Sequence, residues 1–122
     1  MLKVVSVSNW IHPKWTGLEQ VFVFTGYRFR EYVSITDCIE VVNSSPSPKD
    51  TFSISAGSLL PVVMNLSPAE SVIGFGHTHP ARCPNPSDED IAGIDEESFG
   101  IVFCGEKAIW YDYQGVIYPK YL

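Results

Sequence analysis

The feature that most constrains the fold is the stretch from Ser71 to Ile91, in which an apolar strand, two histidines, a proline-rich loop and an acidic helix start follow one another. Ser71–Phe75 predicts a short buried strand. Three prolines between residues 80 and 86 exclude a helix in the loop. Ser87, followed by three acidic residues, is typical of a helix N-cap. The stretch therefore presents groups from the end of a strand and the start of a helix to each other.

Two histidines and an aspartate in this stretch have the spacing of a metal site. His77 and His79 are two residues apart, so on an extended chain their side chains point to the same face. Ser87 and Asp90 are three apart and share one face of a helix. Two imidazoles and a carboxylate leave the fourth position of a tetrahedral zinc ion for water, as catalytic zinc requires. These residues predict a Zn²⁺ site with His77, His79 and Asp90 as ligands. The alternative is a solvated loop in which they do nothing.

The spacing His-x-His, seven residues, Ser, two residues, Asp resembles the signature of the JAMM/MPN-plus metalloproteases, zinc isopeptidases that remove ubiquitin or ubiquitin-like proteins. His77, His79, Ser87 and Asp90 match that signature without a gap, and Thr78 stands where Ser is commoner. The resemblance implies an α/β fold, a mixed β-sheet flanked by helices, related to the cytidine deaminase architecture.

The same resemblance implies two catalytic residues. The family's general base is a Glu upstream, in a pattern similar to Glu-x-x-Gly-x-x-x-Gly, and Glu19 fits it with Gly26 in register and Phe22 where a small residue is usual. Ser87 would help to stabilise the developing oxyanion, and its alternative role is that of an N-cap alone. The competitors for the base, which lie in a charged turn, a strand and a Ser/Pro loop, are Glu31, Glu40 and Glu70.

The length and net charge of the chain limit its domain organisation and the kinds of partner it could bind. A chain of 122 residues has room for one core, so residues 1–122 predict a single domain, which the resemblance implies is of the JAMM/MPN-plus type. The net charge of −6, with 8 Lys and Arg residues, argues against nucleic acid or an anionic membrane as partner. No apolar run approaches a membrane span, and no secretory signal is recognisable, which predicts a cytoplasmic protein. The three cysteines do not form a disulfide framework; Cys38 is expected to be buried, and a Cys83–Cys104 disulfide stays open.

The remaining pattern predicts more strand than helix. Leu2–Val7 fits either a strand or a short helix. Ser55–Leu66 predicts a helix in which Pro61 is acceptable only near the start, and a second helix runs from Ser87 towards Ile94. Residues Gly26 to Arg30 are expected to help turn the chain. The further predicted strands are Gln20–Tyr27, Tyr32–Val42, Thr51–Ile54, Gly100–Cys104 and a closing hairpin of Lys107–Tyr113 with Val116–Tyr118.

The resemblance implies a compact isopeptidase of prokaryotic or archaeal type. It would hydrolyse the bond after the C-terminal Gly-Gly tail of a ubiquitin-like modifier or a sulfur-carrier protein. The sequence does not decide whether the protein forms a homodimer. One alternative is a non-catalytic scaffold of the same fold, although such versions generally lose the metal ligands that this chain retains. A zinc deaminase would need His-x-Glu and Pro-Cys-x-x-Cys, and the chain has neither.

Overall fold

The computed structural model describes residues 3–10, 12–46, 52–79 and 85–117. Within these ranges the chain forms one seven-stranded sheet and two helices. In chain order they are β1 (Lys3–Val7), β2 (Val21–Phe29), β3 (Tyr32–Val41), α1 (Ala56–Met64), β4 (Ser71–Thr78), α2 (Asp88–Ala92), β5 (Phe99–Cys104), β6 (Lys107–Asp112) and β7 (Gly115–Ile117).

The sheet is curled and mixed, with the strand order β1-β3-β2-β4-β5-β6-β7. The pairs β1/β3 and β4/β5 are parallel, and the other neighbours are antiparallel. The mixed sheet agrees with the prediction, whereas flanking by helices is supported only in part, because the two helices are short. Neither described helix has the length and apolarity that a bilayer crossing requires.

One face of the sheet carries an aromatic core. Trp10, which precedes β2, stacks on Trp110 with ring centroids 5.8 Å apart and on Phe24 at 6.1 Å. Strand residues alternate between faces, so Phe99, Ile101 and Phe103 of β5 all point into this core. The opposite face packs against the α2 region, through a smaller cluster made of Val102, Cys104, Tyr111, Ile91 and Ile94.

Two glycines allow the central strands to lie against this core. A Cβ on Gly76 would lie 2.8 Å from a ring carbon of Phe24 and 3.1 Å from one of Phe103. A Cβ on Gly26 would lie 1.9 Å from the backbone oxygen of Ser34 in β3. The backbone contact excludes a side chain at Gly26, whereas a side chain at Gly76 would require the buried rings to shift. Gly26 is thus needed for strand packing inside β2.

Several predictions of local structure were wrong. Gly26 does not turn the chain, because β2 continues to Phe29 and the turn falls at Arg30, which has a positive φ of 56°. Residues 52–54 are not a strand, and Thr51 lies outside the described residues. Pro61 sits in the interior of α1, beyond the first turn after the N-cap Ser55.

The predicted bounds of the other strands and of the second helix lie closer to the observed ones. Residues 3–7 of the undecided N-terminal segment form β1, parallel to β3. β4 runs to Thr78, three residues beyond the predicted strand, so it carries His77 within the sheet. The helix after the loop ends at Ala92. The last hairpin is present up to Ile117, and Tyr118 lies outside the described residues.

Candidate metal centre

The position of His77 follows from the register of β4. Val21 of β2 lies opposite His77 on one side and Val102 of β5 on the other, and His77 is fully buried. Beyond the strand end, the backbone N–H of His79 donates to the carbonyl of Phe103 at 2.8 Å. This bond keeps the chain extended past β4, so the two imidazoles leave the sheet on the same side, towards the start of α2.

Asp90 is held in place by the N-terminus of α2. The Oγ of Ser87 accepts the backbone N–H of Asp90 at 3.0 Å, and Asp90 Oδ2 accepts the backbone N–H of Ser87 at 2.9 Å. This reciprocal capping box fixes the carboxylate relative to the helix. The same Oδ2 lies 3.2 Å from His77 Nε2 and 3.6 Å from His79 Nε2. The structure therefore brings Asp90 to both imidazoles.

These three atoms can share one metal ion. The two Nε2 atoms are 2.9 Å apart, and with Asp90 Oδ2 they form a triangle whose circumscribed circle has a radius of about 1.9 Å. A point about 2.0–2.1 Å from all three atoms, the usual length of zinc bonds to nitrogen and carboxylate oxygen, therefore exists beside the plane of the triangle. The donor set and its spacing fit zinc.

Glu19 completes the cluster from the start of β2. Its carboxylate is buried, with Oε1 3.7 Å from His79 Nε2 and 4.0 Å from His77 Nε2. Glu19, His77 and His79 offer ligand atoms that all lie within 4.8 Å of one another. The neighbouring Gln20 is fastened to β4, since its N–H donates to Thr78 Oγ1 at 2.9 Å and its carbonyl accepts the N–H of Thr78.

The competing glutamates have other surroundings. Glu40 accepts a hydrogen bond from the Gln20 side chain, and Glu70 accepts hydrogen bonds from Thr36 and from the backbone of Ser67. Glu31 lies in the turn between β2 and β3. Among the described glutamates, Glu19 is the one that the structure places at the imidazoles.

The protonation states suit metal binding. Burial lowers the pKa of His77 below its ordinary value, against the opposing effect of Asp90. Burial acts to raise the pKa of Asp90, whereas the hydrogen bonds from His77 and from the backbone N–H of Ser87 lower it, and the pKa of that carboxyl is lowered overall. At neutral pH the site therefore holds a neutral His77 and an ionised Asp90, which are the forms that bind metals.

Two neighbours of the site were missed by the sequence patterns. The ring of Phe52 stacks on His77 with centroids 4.3 Å apart and an interplanar angle of 26°. Asn43, at the end of β3, accepts the N–H of Ser45. That bond is an Asx turn, for which an Asn followed by Ser-Ser-Pro is a recognisable signal. No sequence signal connects Phe52 with His77, because the two are 25 positions apart.

The cysteines contribute no described ligand to this cluster. Cys38 is buried, as expected, and Cys104 is buried at the end of β5. Cys83 lies outside the described residues, so the Cys83–Cys104 disulfide stays open.

Comparisons with known proteins give a likeness of fold. No protein-family model matches the chain, and no curated protein does. Among solved structures, it is similar to the solution structure of protein DSY2949 from Desulfitobacterium hafniense, with 20% identity, a TM-score of 0.65, and coverage of 85% of this chain and 80% of that one. It is also similar to a JAB1/MPN domain protein from Archaeoglobus fulgidus, with 16% identity, a TM-score of 0.49, and coverage of 83% and 77%. At 20% identity, the likeness to DSY2949 concerns the fold alone.

Proposed function

We propose that this protein is a zinc-dependent isopeptidase of the JAMM/MPN-plus type, with residues 1–122 forming one cytoplasmic domain of that architecture. The observation that carries the proposal is the convergence of His77 Nε2, His79 Nε2 and Asp90 Oδ2 around one point, with the Glu19 carboxylate 3.7 Å and 4.0 Å from the two nitrogens. A ligand triangle beside a buried carboxylate is one arrangement that can activate water for the hydrolysis of an amide.

His77, His79 and Asp90 would hold the zinc ion. When bound, zinc supplies a Lewis acid that polarises the scissile carbonyl and lowers the pKa of a water ligand towards about 7. Glu19 Oε1 lies beyond hydrogen-bond length from both imidazole nitrogens, so in the proposed site its carboxylate would act on water rather than bind either imidazole.

Glu19 acts as the general base and then as the general acid. Its Oε1 accepts a proton from the attacking water molecule. Glu19 then delivers that proton to the nitrogen of the leaving lysine, so the isopeptide C–N bond breaks and the amine leaves in its neutral form. Burial excludes bulk water from this carboxylate. Ser87 Oγ accepts the N–H of Asp90, and because a hydroxyl has one donor and two acceptor sites, its proton remains available to stabilise the oxyanion.

The proposed substrate is the extended C-terminal Gly-Gly tail of a ubiquitin-like modifier or sulfur-carrier protein. Glycine lets a backbone pass close to a metal centre because it has no side chain, and an extended tail can pair with an exposed strand edge.

The test uses a ubiquitin-like protein joined through Gly-Gly to a lysine side chain. Cleavage should be abolished by a zinc chelator, restored by zinc and unaffected by thiol alkylation. Glu19→Gln should lower turnover by about 10²–10⁴-fold while keeping zinc near one per chain. Glu31→Gln, the same change in the turn between β2 and β3, is the matched control and should retain full activity.

Two outcomes would contradict the proposal in different ways. Full activity in Glu19→Gln with loss in Glu31→Gln would show that the base is misassigned. Zinc bound at one per chain without cleavage of any Gly-Gly conjugate would favour the non-catalytic scaffold.

A further inference from the structure

Asn43 lies where three separate segments meet beside the metal centre. Its Nδ2 donates to the backbone carbonyl of Glu19 at 2.8 Å, and its Oδ1 accepts the N–H of Ser45 at 3.0 Å and that of Ser53 at 3.2 Å. A backbone bond from Ser44 N–H to the carbonyl of Ser53, at 2.9 Å, reinforces the junction. One amide therefore joins the start of β2, the end of β3 and the segment that carries Phe52.

We propose that Asn43 is a positioning residue of this centre, which sets the place of the Glu19 carboxylate and of the Phe52 ring relative to His77. This inference rests on the proposed function for its kinetic consequence, while its structural consequence for His77 can be measured without any enzyme activity.

The first connection runs through Glu19. Glu19 directly precedes Gln20, whose backbone N–H and carbonyl are both bonded to Thr78 of β4. On the other side of Glu19, the carbonyl is held by Asn43. The backbone is thus fixed from both neighbouring strands, which limits where the Glu19 side chain can place Oε1. Loss of the Asn43 donor would free one of these two restraints.

The second connection runs through Phe52. Metal-binding imidazoles are usually oriented by a hydrogen bond on the nitrogen that does not bind the metal. The Nδ1 of His77 is buried and has no hydrogen-bond partner among the described residues. The stacked ring of Phe52, 4.3 Å away, therefore restricts rotation of the His77 ring from its face, in addition to the contacts of His77 Nε2 with Asp90 and His79. Ser53 donates its N–H to Asn43 Oδ1, and its carbonyl accepts the N–H of Ser44. Asn43 and the residue after it therefore hold the segment that carries Phe52.

This arrangement requires both halves of a side-chain amide. An aspartate at position 43 keeps the acceptor for Ser45 and Ser53 but cannot donate to the Glu19 carbonyl and places a negative charge beside it. Alanine removes donor and acceptor together. Asn43→Asp therefore perturbs mainly Glu19, and Asn43→Ala perturbs Glu19 and Phe52.

The experiment compares Asn43→Asp, Asn43→Ala and Phe52→Leu. The control is Asn65→Ala, because the Asn65 amide donates to the carbonyl of Pro61 within α1 and has no hydrogen bond to the metal centre among the described residues. Turnover on the Gly-Gly conjugate should fall about 10–100-fold in both Asn43 variants with KM changed less than about twofold. The Asn65 variant should keep the wild-type values.

The readout independent of activity is the NMR signal of the His77 ring protons, which lie over the face of Phe52 and are shifted by its ring current. Phe52→Leu defines the signal without that ring. Asn43→Ala should move the His77 signal in the same direction and raise the zinc dissociation constant about tenfold or more in a chelator competition. Neither quantity should change in Asn65→Ala.

The inference would be overturned if Asn43→Ala left the His77 signal and zinc affinity unchanged, or if both Asn43 variants kept wild-type turnover. It would also be overturned if their loss of turnover matched the unfolded fraction measured by circular dichroism. Should the Asn43 variants not fold, an unchanged zinc affinity in folded Phe52→Leu would contradict it equally. If wild type cleaved no conjugate, the proposed function would fail, and the NMR and zinc measurements would still decide the role of Asn43.

Discussion

Replacement of Gly76 by alanine tests whether the aromatic core determines the position of the strand that carries the metal ligands. The new Cβ would lie 2.8 Å and 3.2 Å from two ring carbons of Phe24 and 3.1 Å from one of Phe103. Phe24 cannot move away freely, because it is fully buried and packs against Trp10 and Phe99. Insertion of a methyl group into such a core costs about 1–3 kcal/mol.

The assay is chemical denaturation in the presence of excess chelator, so that metal binding does not contribute. The midpoint should fall without a change in the m-value, and the melting temperature should fall by roughly 5–15 °C. Gly57→Ala is the matched control. It lies in the first turn of α1, where the nearest atom to a new Cβ is 3.9 Å away, so the same change should stabilise by about 0.4–1 kcal/mol.

Gly76→Ala and Gly57→Ala should therefore shift the free energy of unfolding in opposite directions. Equal shifts in the two variants, or a loss at Gly76 below about 0.5 kcal/mol, would refute the reasoning. The core beneath β4 would then be loose enough to accept a side chain, and the position of His77 would have to depend on something else.

Two further predictions concern the helix start and the pH dependence. Ser87→Ala should lose the cap of α2, at about 1 kcal/mol, together with turnover, whereas Ser87→Asp should keep the cap and lose turnover; retained turnover in Ser87→Asp would show that Ser87 is only a cap. Because burial lowers the pKa of folded His77, the unfolded chain binds more protons just below the ordinary histidine value of about 6.5, so the free energy of unfolding of metal-free protein should fall as pH is lowered from about 7 to about 5.5. His77→Gln should flatten that dependence in denaturant titrations, and an unchanged slope would contradict the assignment.

How much of the fold could be predicted from the sequence depended on whether the signal was local. β2, β3 and β5 are segments rich in β-branched and aromatic residues, which fit the pleated, buried surface of a sheet. Residues 52–54 alternate in the same way, yet they are not a strand. Phe52 instead lies on His77, and Ser53 is bonded to Asn43. Tertiary contacts outweighed a weak local preference there.

The candidate site divides along the same line. Local patterns were enough to identify which groups could meet, since the spacing of His77, His79 and Asp90 requires only a strand, a short loop and a capped helix. Glu19 was predicted as the general base from a Glu-x-x-Gly-x-x-x-Gly pattern, of which the chain matches the final glycine, Gly26. The structure explains that glycine by the close approach of its backbone to β3.

The support of those groups depends on contacts that form when the sheet is assembled. Glu19 reaches the imidazoles because β2 pairs with β4, and Phe52 and Asn43 join the site through contacts between residues 24 to 25 positions apart. Helix capping and side-chain periodicity are encoded within a few neighbouring residues. Packing and strand pairing, in contrast, depend on segments that become neighbours only when the whole sheet has formed.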